Sequence, residues 1–180
     1  MTERANMDYI DSIDSPLGKI TIASDGEALV GLWLEGQEHF ASKLGEAEAD
    51  PDVPVFAEVR AWLARYFEGR DPGPVPRVNP RGSAFQQAVW SELARIPYGQ
   101  LTSYGALARR VEETARRRTS ARAVGSAVGR NPISIIVPCH RVVGSSGALT
   151  GYAGGVDKKI ALLRLEGVAV DEEKQRIARA

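Results

Sequence analysis

The residues that could carry out covalent chemistry lie in one stretch, IIVPCHRVV, at positions 135–143. It contains Cys139, the single cysteine of the 180-residue chain, and His140, one of two histidines. A thiol reacts as its thiolate, which is a minor species of an unperturbed cysteine at neutral pH. Nucleophilic chemistry at Cys139 therefore needs a base and positive surroundings, and His140 and Arg141 are the adjacent candidates.

The position of His140 limits how it could act on the thiol. Neighbouring side chains of an extended segment point to opposite sides, so we expect His140 to reach Cys139 through a bridging water unless the chain turns sharply. The imidazole also needs a partner that fixes its tautomer. The candidate acids in the second half are Glu92, Glu112, Glu113, Asp157 and Glu166. Glu166 ends the last predicted helix, which could pack back on the site.

A second interpretation is that Cys139 is inert. Free cysteine is among the most buried residue types, and the apolar run before it would suit a core strand. His140 would then be an ordinary buried polar group. The run Pro-Cys-His-Arg argues against this interpretation, because polar and reactive groups stand where a buried strand should continue.

Composition indicates a folded protein without a resident metal. Hydrophobic residues make up 43% of the chain, which is enough for a core. No apolar run is long enough to span a bilayer and no secretory signal is apparent, so we expect a soluble intracellular protein. One cysteine cannot form an internal disulfide or a thiolate zinc site, and the two histidines are far apart. We therefore expect neither a metal nor a cofactor.

The net charge of zero conceals a split between the two halves. From Met1 to Glu58 there are thirteen acids and three bases, whereas from Arg81 to Arg164 there are thirteen bases and four acids. This asymmetry favours a polyanionic partner, such as nucleic acid, for the second half. The alternative is a basic face that is solvated or paired with the acidic half.

The first half predicts a strand meander followed by a helix. Strands are predicted at 7–14, 19–24 and 28–35, joined by short turns. The segment 58–69 predicts an amphipathic helix, since its apolar residues fall at i, i+3, i+4 and i+7. Residues 71–82 contain four prolines and two glycines, which is typical of a linker or an extended crossing segment. We place the domain boundary there, giving domains 1–80 and 81–180.

The second half reads as mainly helical. Ser83 can cap a helix over 84–96, and Thr102 or Ser103 can cap the next one. A third helix over 119–130 is rich in small residues and flanked by arginines, and a last one over 157–167 ends at Gly167. The second and third helices resemble a helix-turn-helix, with plain helix packing as the alternative.

The segment PCHRV at 138–142 resembles the active-site signature of the O6-alkylguanine-DNA alkyltransferases, also called methylated-DNA–protein-cysteine methyltransferases. Further segments follow this family in order along nearly the whole chain. They are DSPLG (14–18), FQQAVW (85–90), IPYGQLTSYGALA (96–108), RAVGSAVGRNPI (122–133), IIVPCHRVVGSSGALTGYAGG (135–155) and KKIALLRLEG (158–167).

The resemblance implies an α/β N-terminal domain that is ribonuclease-H-like and a mainly α C-terminal DNA-binding domain of winged-helix type. It implies irreversible transfer of an alkyl group from O6-alkylguanine in DNA to the protein's own cysteine, once per molecule. The implied partner is double-stranded DNA bound through the minor groove by a cytoplasmic monomer. The sequence leaves open whether O4-alkylthymine is also repaired.

The resemblance also implies residue roles. Cys139 is the acceptor, His140 removes its proton through a water, and Glu166 orients His140. Asn131 braces the adjacent turn, and Tyr104 rotates the nucleotide out and donates a proton to the guanine ring. Arg122 fills the vacated place in the base stack. The other implied DNA contacts are Ala123, Gly125, Ser126 and Arg130, and the implied pocket residues are Val142, Tyr152, Ala153 and Gly154.

The sequence differs from the family pattern in one segment, and it is also compatible with two other functions. The connection 111–121 is longer and more basic than is usual, which predicts either extra phosphate contacts from Arg116, Arg117 or Arg118 or a loose turn. A DNA-binding module or regulator with an inert cysteine would bind DNA without a covalent product. A Cys-His hydrolase would need an oxyanion hole, for which the sequence has no signal.

Overall fold

The computed structural model describes residues 7–178 and divides the chain into two compact units. Unit 1 comprises Met1–Arg81 together with Pro132–Ser134. Unit 2 comprises Gly82–Asn131 and Ile135–Ala180. Within the described residues, no helix is both long enough and apolar enough to cross a membrane.

Unit 1 is built on a four-stranded sheet in the order β3-β2-β1-β4. Its strands are β1 (Asp8–Ser15), β2 (Gly18–Ser24), β3 (Leu29–Leu34) and β4 (Ala47–Ala49). The first three form an antiparallel meander, as predicted, and β4 joins β1 in parallel. The sequence analysis did not predict β4, which has three exposed residues and hence no buried pattern to detect.

One helix, α1 (Pro54–Phe67), packs against β1 and β2 of this sheet. Proline suits its first turn, where the backbone N–H would have no helical partner. The helix stops before Gly69, which takes the left-handed conformation at φ 76° and donates its N–H to the carbonyl of Tyr66. Its buried face consists of Val55, Phe56, Val59, Trp62, Leu63 and Tyr66.

Two distant segments complete the edge of β3, whose six residues are all buried. The segment around Val78 pairs in parallel with Leu29, so residues 71–82 include an extended crossing piece. Ile133 pairs in parallel with Leu32, whose N–H donates to Pro132 and whose carbonyl accepts from Ser134, each at 2.9 Å.

Unit 2 is organised around four helices and two short two-stranded sheets. The helices are α2 (Ala84–Leu93), α3 (Tyr104–Ala115), α4 (Ala121–Gly129) and α5 (Val156–Leu165). The strands are β5 (Thr102–Ser103), parallel to β6 (Val142–Val143), and β7 (Val170–Asp171), antiparallel to β8 (Arg176–Ile177). These strands are two residues long, too short for a periodic sequence signal.

Side-chain caps set the starts of three of these helices. Ser83 forms a capping box with Gln86, and Ser103 and Ser120 accept hydrogen bonds from the third residues of α3 and α4. The indole N–H of Trp90 donates to the carbonyl of Ala127 at 2.8 Å, which ties α2 to α4. The two helices predicted as a helix-turn-helix, α3 and α4, contact each other, and both contact α2.

Two sequence predictions were wrong in detail. The helix predicted over 84–96 ends at Leu93, and the backbone then turns, with Ile96 donating its N–H to the carbonyl of Leu93. The segment 135–143 is not a continuous extended strand. Ile135 has a φ of 68°, and Cys139–Arg141 form a 3-10 turn in which Arg141 donates its N–H to the carbonyl of Pro138.

Candidate active site

Cys139 begins the 3-10 turn of unit 2 and is buried, with 5% of its surface exposed. Its N–H donates to the carbonyl of Val137 at 2.9 Å, which folds the chain back directly after Pro138. Because the turn replaces an extended strand, successive side chains do not alternate between two faces. The thiol and the imidazole of His140 are therefore held in one tight turn.

Burial raises the pKa of the Cys139 thiol. A hydrogen bond from the Asn131 side chain, the positive charge of Lys159 and the backbone N–H groups of Cys139 and His140 oppose this rise. The buried site thus favours a neutral thiol at rest while supplying donors and a cation that stabilise the thiolate when it forms.

His140 is fully buried and bonds Glu166, with 2.7 Å between Nε2 and Oε1. A carboxylate can only accept hydrogen bonds, so Nε2 carries the hydrogen and Nδ1 of the neutral ring is the basic nitrogen. Burial lowers the pKa of His140 despite the opposing effect of Glu166, and the charges of Arg141 and Lys159 add to this lowering. The ring is thus neutral and able to accept a proton.

Arg141 is the second partner of the same carboxylate. Its Nε donates to Oε2 of Glu166 at 2.8 Å and its Nη2 donates to Oε1 at 2.9 Å, while Nη1 donates to the carbonyl of Ile96 at 2.6 Å. The backbone N–H of Gly99 also donates to Oε2 at 3.1 Å. This paired geometry fixes both the orientation and the charge of Glu166.

Glu166 consequently remains an anion. Burial alone would raise the pKa of its carboxyl, but the hydrogen bonds and charges of His140 and Arg141 outweigh burial and hold that pKa well below its ordinary range. The residue lies at the end of α5, as the sequence analysis expected, and the last turn of that helix brings it to the 3-10 turn.

Lys159 is a fully buried cation on α5 that the sequence analysis did not assign to the site. Its Nζ donates to the carbonyl of Val142 at 2.6 Å and contacts the carbonyl of Thr150 at 3.4 Å. Burial lowers its pKa to about 8, while the negative charge of a Cys139 thiolate opposes this shift. Lys159 therefore links the strand after the 3-10 turn to the loop before α5 and places a positive charge near the sulfur.

Tyr104, the first residue of α3, lies against the same loop. Its hydroxyl donates to the carbonyl of Thr150 at 3.2 Å. Burial and the negative charge of a Cys139 thiolate raise the pKa of Tyr104 to about 12, so the phenol stays protonated at physiological pH. Gly151 has a φ of 71°, and a Cβ there would lie 3.6 Å from the Tyr104 hydroxyl.

Asn131 is buried at the end of the turn that follows α4. Its Nδ2 donates to the carbonyl of Val137 at 2.8 Å, two residues before the thiol. One amide therefore both supports the backbone of the Cys139 turn and forms a hydrogen bond with the sulfur.

The implied pocket residues lie on two neighbouring segments. Val142 is fully buried and pairs with Thr102 at the start of β6. Tyr152 and Ala153 are half-buried and Gly154 is buried in the loop before α5, where the ring centroid of Tyr152 lies 6.0 Å from Lys159 Nζ.

The implied DNA contacts lie on the accessible side of α4 and at its C-terminal end. Arg122, Ser126 and Arg130 are exposed at four-residue spacing, and Ala123 and Gly125 are half-buried beside them. The opposite face, which includes Val124, Ala127 and Val128, is buried. Small residues next to the arginines let another molecule approach this helix closely.

Sequence reasoning missed the structural importance of Arg141 and Lys159. Arg141 stands inside the conspicuous PCHRV run, so its adjacency to Cys139 was noted but its bidentate pairing was not. Lys159 follows Val156 by three residues and so falls in the apolar stripe of α5. A lysine at a helical position that should be buried is unusual, and this could have identified Lys159 from the sequence. Within residues 7–178, no group of three or more His, Cys, Asp and Glu residues could hold a metal ion.

Both parts of the chain match known proteins. Residues 84–168 match the family described as 6-O-methylguanine DNA methyltransferase, DNA binding domain, and residues 9–72 match its ribonuclease-like domain. A methylated-DNA–protein-cysteine methyltransferase of Haemophilus influenzae is 43% identical over 162 residues, covering 89% of this chain and 87% of that protein. The corresponding Mycobacterium leprae protein is 42% identical over 160 residues, covering 89% and 93%.

Solved structures agree with the sequence matches. The crystal structure of Mycobacterium tuberculosis OGT in complex with DNA superposes with a TM-score of 0.77 at 42% identity, covering 89% of this chain and 92% of that one. A Methanococcus jannaschii O6-methylguanine DNA methyltransferase superposes with a TM-score of 0.59 at 28% identity, covering 94% and 100%.

Proposed function

This chain belongs to the 6-O-methylguanine DNA methyltransferase family, and we propose that its substrate is double-stranded DNA containing O6-alkylguanine, bound through the minor groove by a monomer. It has the N-terminal ribonuclease-like and C-terminal DNA-binding domains of that family. It acts in direct DNA repair, transferring an alkyl group to its own cysteine. The proposal assigns that cysteine to Cys139, since the chain has no other.

The observation that carries the site assignment is the buried chain of contacts from Arg141 through Glu166 to His140, next to Cys139. Glu166 holds the hydrogen on Nε2, which leaves Nδ1 to take the thiol proton through a water. General bases that are positioned in this way contribute about 10²- to 10⁴-fold to rate. The neutral state of His140 supports this role.

The transfer is a displacement at carbon. The Cys139 thiolate attacks the alkyl carbon bonded to O6, the S–C bond forms, and the C–O6 bond breaks with its electron pair going to the guanine. Tyr104 donates its phenolic proton to a ring nitrogen, so that neutral guanine leaves, and the proton taken from the thiol restores the phenol. The thioether product has no acidic proton and is stable, so one protein molecule reacts once.

DNA binding is assigned to the exposed face of α4. A base that undergoes chemistry must leave the duplex, at a cost of a few kcal/mol in lost stacking. Arg122 projects from an exposed position and would fill the gap in the stack, as inserted side chains do in minor-groove binding. The half-buried small residues Ala123 and Gly125 support close approach to the groove. We also place the protein in the cytoplasm, where a reducing environment keeps its thiol free.

The proposal is tested by intact mass and peptide mapping after mixing with duplex DNA that carries one O6-methylguanine. We expect one added methyl group per chain, located on Cys139 and absent from the Cys139→Ala variant. Tight DNA binding with unchanged mass would instead identify a DNA-binding module with an inert cysteine.

The groove and the oligomeric state need separate measurements. Binding that survives glucosylation of the major groove but is displaced by a minor-groove ligand is the expected pattern. Sedimentation at micromolar concentration should give the monomer mass. The opposite competition pattern would reject minor-groove binding while leaving the cysteine chemistry intact.

A further inference from the structure

The turn between α3 and α4 carries three consecutive exposed arginines, Arg116, Arg117 and Arg118. The sequence from Thr114 to Arg130 contains five arginines and no acid. In the part of the chain that the structure describes, no carboxylate forms an ion pair with any of the three arginines. Uncompensated positive charge of this density attracts an anionic partner.

Both ends of this arginine turn are anchored, which argues against a loose connection. Oε1 of Glu112 accepts a hydrogen bond from the backbone N–H of Thr119 at 2.8 Å, closing the turn across its base. Ser120 then caps α4 by accepting from Ala123 at 3.1 Å. Arg116 takes the left-handed conformation at φ 50°, which ends α3 sharply.

The dipole of α3 explains only part of this charge. Cations near a helix C-terminus stabilise the helix by about 0.3–1 kcal/mol, and the effect falls off within the last turn. Arg116 stands at that end, whereas Arg117 and Arg118 lie beyond it. The neighbouring carboxylate of Glu112 accepts a hydrogen bond from Thr119 and, within the described residues, forms no ion pair with these arginines.

The arginine turn is continuous with the face of α4 that we assign to DNA. A cleft of about 430 Å³ lies between the arginine turn and the start of α4. It is lined by Phe85, Arg117, Arg118, Thr119, Ser120 and Ala123. Ala123 is one of the residues proposed to contact DNA, so an anion beside that part of α4 would also face the arginines.

We propose that Arg116, Arg117 and Arg118 form a phosphate clamp that lengthens the contact of this chain with the DNA backbone beyond α4. The inference rests on the proposed DNA-binding role of α4. Arginine suits this task because its planar guanidinium donates two parallel hydrogen bonds to a phosphate. Backbone contacts carry no sequence information, which suits repair of a lesion in any sequence context.

The test is the salt dependence of binding to an undamaged duplex between about 50 and 200 mM salt, the range over which phosphate contacts dominate affinity changes. The variant R116Q/R117Q/R118Q is compared with the wild type. The charge-matched control R95Q/R164Q/K174Q removes three cations that each have an acidic partner, namely Glu92, Glu172 and Asp171.

Each phosphate contact contributes about 0.9 to the slope of log affinity against log salt concentration. We therefore expect the slope of the clamp variant to be shallower by about 2–3, and the slope of the control to match the wild type. An unchanged slope in the clamp variant, or an equal loss in the control, would overturn the clamp.

A second readout separates this inference from the proposed function. Methyl transfer from the free base O6-methylguanine needs no DNA contact, so the clamp variant should react with it at the wild-type rate. Failure of the wild type to take a methyl group from DNA would refute the proposed function, whatever the salt slopes are. An unchanged slope with normal transfer from DNA would refute the clamp alone.

Discussion

Arg141 and Glu166 form a buried bidentate ion pair, with Nε to Oε2 at 2.8 Å and Nη2 to Oε1 at 2.9 Å. The same Oε1 bonds His140 at 2.7 Å, so one carboxylate joins the guanidinium to the imidazole. Because Arg141 offsets the charge of Glu166, the carboxylate orients His140 without turning it into a permanent imidazolium. The resting proton of the site thus stays on the thiol.

The first prediction concerns this offset. The rate of methyl transfer falls at low pH, and in Arg141→Met this fall should occur at a higher pH than in the wild type. Arg141→Lys keeps the cation but loses the paired geometry, so its rate profile should shift in the same direction by less. The reason is that Arg141 lowers the pKa of His140. Single-turnover rates on methylated duplex between pH 5 and 9 give the measurement, with Arg95→Met as the control. A fall at the wild-type pH in both variants would contradict this role.

Arg141→Met should also destabilise the fold. Removing one member of a buried ion pair leaves the other charge uncompensated, which typically costs about 3–5 kcal/mol. Urea unfolding at pH 7 measures this loss. A loss below 1 kcal/mol, which is usual for exposed pairs, would mean that water reaches Glu166.

The second prediction is that the protein loses stability in mild acid. The pKa of His140 is lowered in the fold from 6.5, so below that pH the unfolded chain binds a proton that the folded chain does not. Stability should fall as the pH drops below 6.5, by up to about 1.4 kcal/mol per pH unit. The depressed pKa of Glu166 adds a further loss below its ordinary value of 4.5.

Urea unfolding from pH 8 to pH 5 tests this acid sensitivity. The variant His140→Gln keeps a donor for Glu166 but cannot titrate, so its stability should be flatter between pH 6.5 and 5. Equal slopes in the variant and the wild type would show that His140 is not the titrating group.

The third prediction concerns Lys159. Its pKa is lowered to about 8 from 10.5, so holding it protonated at pH 7 costs the fold about 3 kcal/mol. Lys159→Met should therefore leave the free energy of unfolding at pH 7 unchanged or higher, while methyl transfer slows because the cation near Cys139 is gone. Lys158→Met is the matched control on the same helix.

The effect of Lys159 on the free energy of unfolding can also be measured as a function of pH. Wild-type stability should rise as the pH increases from 8 to 10.5, because over that range the unfolded chain keeps a proton that the folded chain releases. The variant Lys159→Met should lack this rise. A wild-type rate of transfer in the variant would show that its charge does not act on the thiol.

The fourth prediction concerns the Tyr104 hydroxyl. Tyr104→Phe removes a donor to the leaving guanine, and hydrogen bonds to charged groups contribute about 1.5–3 kcal/mol, so transfer should slow about ten- to hundredfold. Because the pKa of Tyr104 is raised to about 12, the wild-type rate should show no loss from tyrosine ionisation up to pH 10. A basic limb near pH 10 that vanishes in the variant would contradict the raised pKa.

The sequence predicted the elements whose apolar residues recur at a regular spacing. The strands β1 to β3 and the helices were recognisable because burial imposes a period on their apolar residues. The turn at Cys139 was not, since Ile135, Ile136 and Val137 look like a strand locally. Hydrogen bonds to their own backbone and to Asn131 bend them instead. Glu166 was identified from position alone, whereas the Arg141 pairing depends on a fold that brings residues 25 apart together.

The return of the chain to unit 1 at residues 132–134 affects how the protein is made. The edge of β3 is incomplete until this segment has been synthesised. About 50 residues separate it from Arg81, which takes roughly 2.5–10 s at 5–20 residues per second. Meanwhile the N–H and carbonyl of Leu32 face outward on a fully apolar strand, a template for pairing with another nascent chain. On the ribosome, the first unit is therefore completed only after much of the DNA-binding half has been translated.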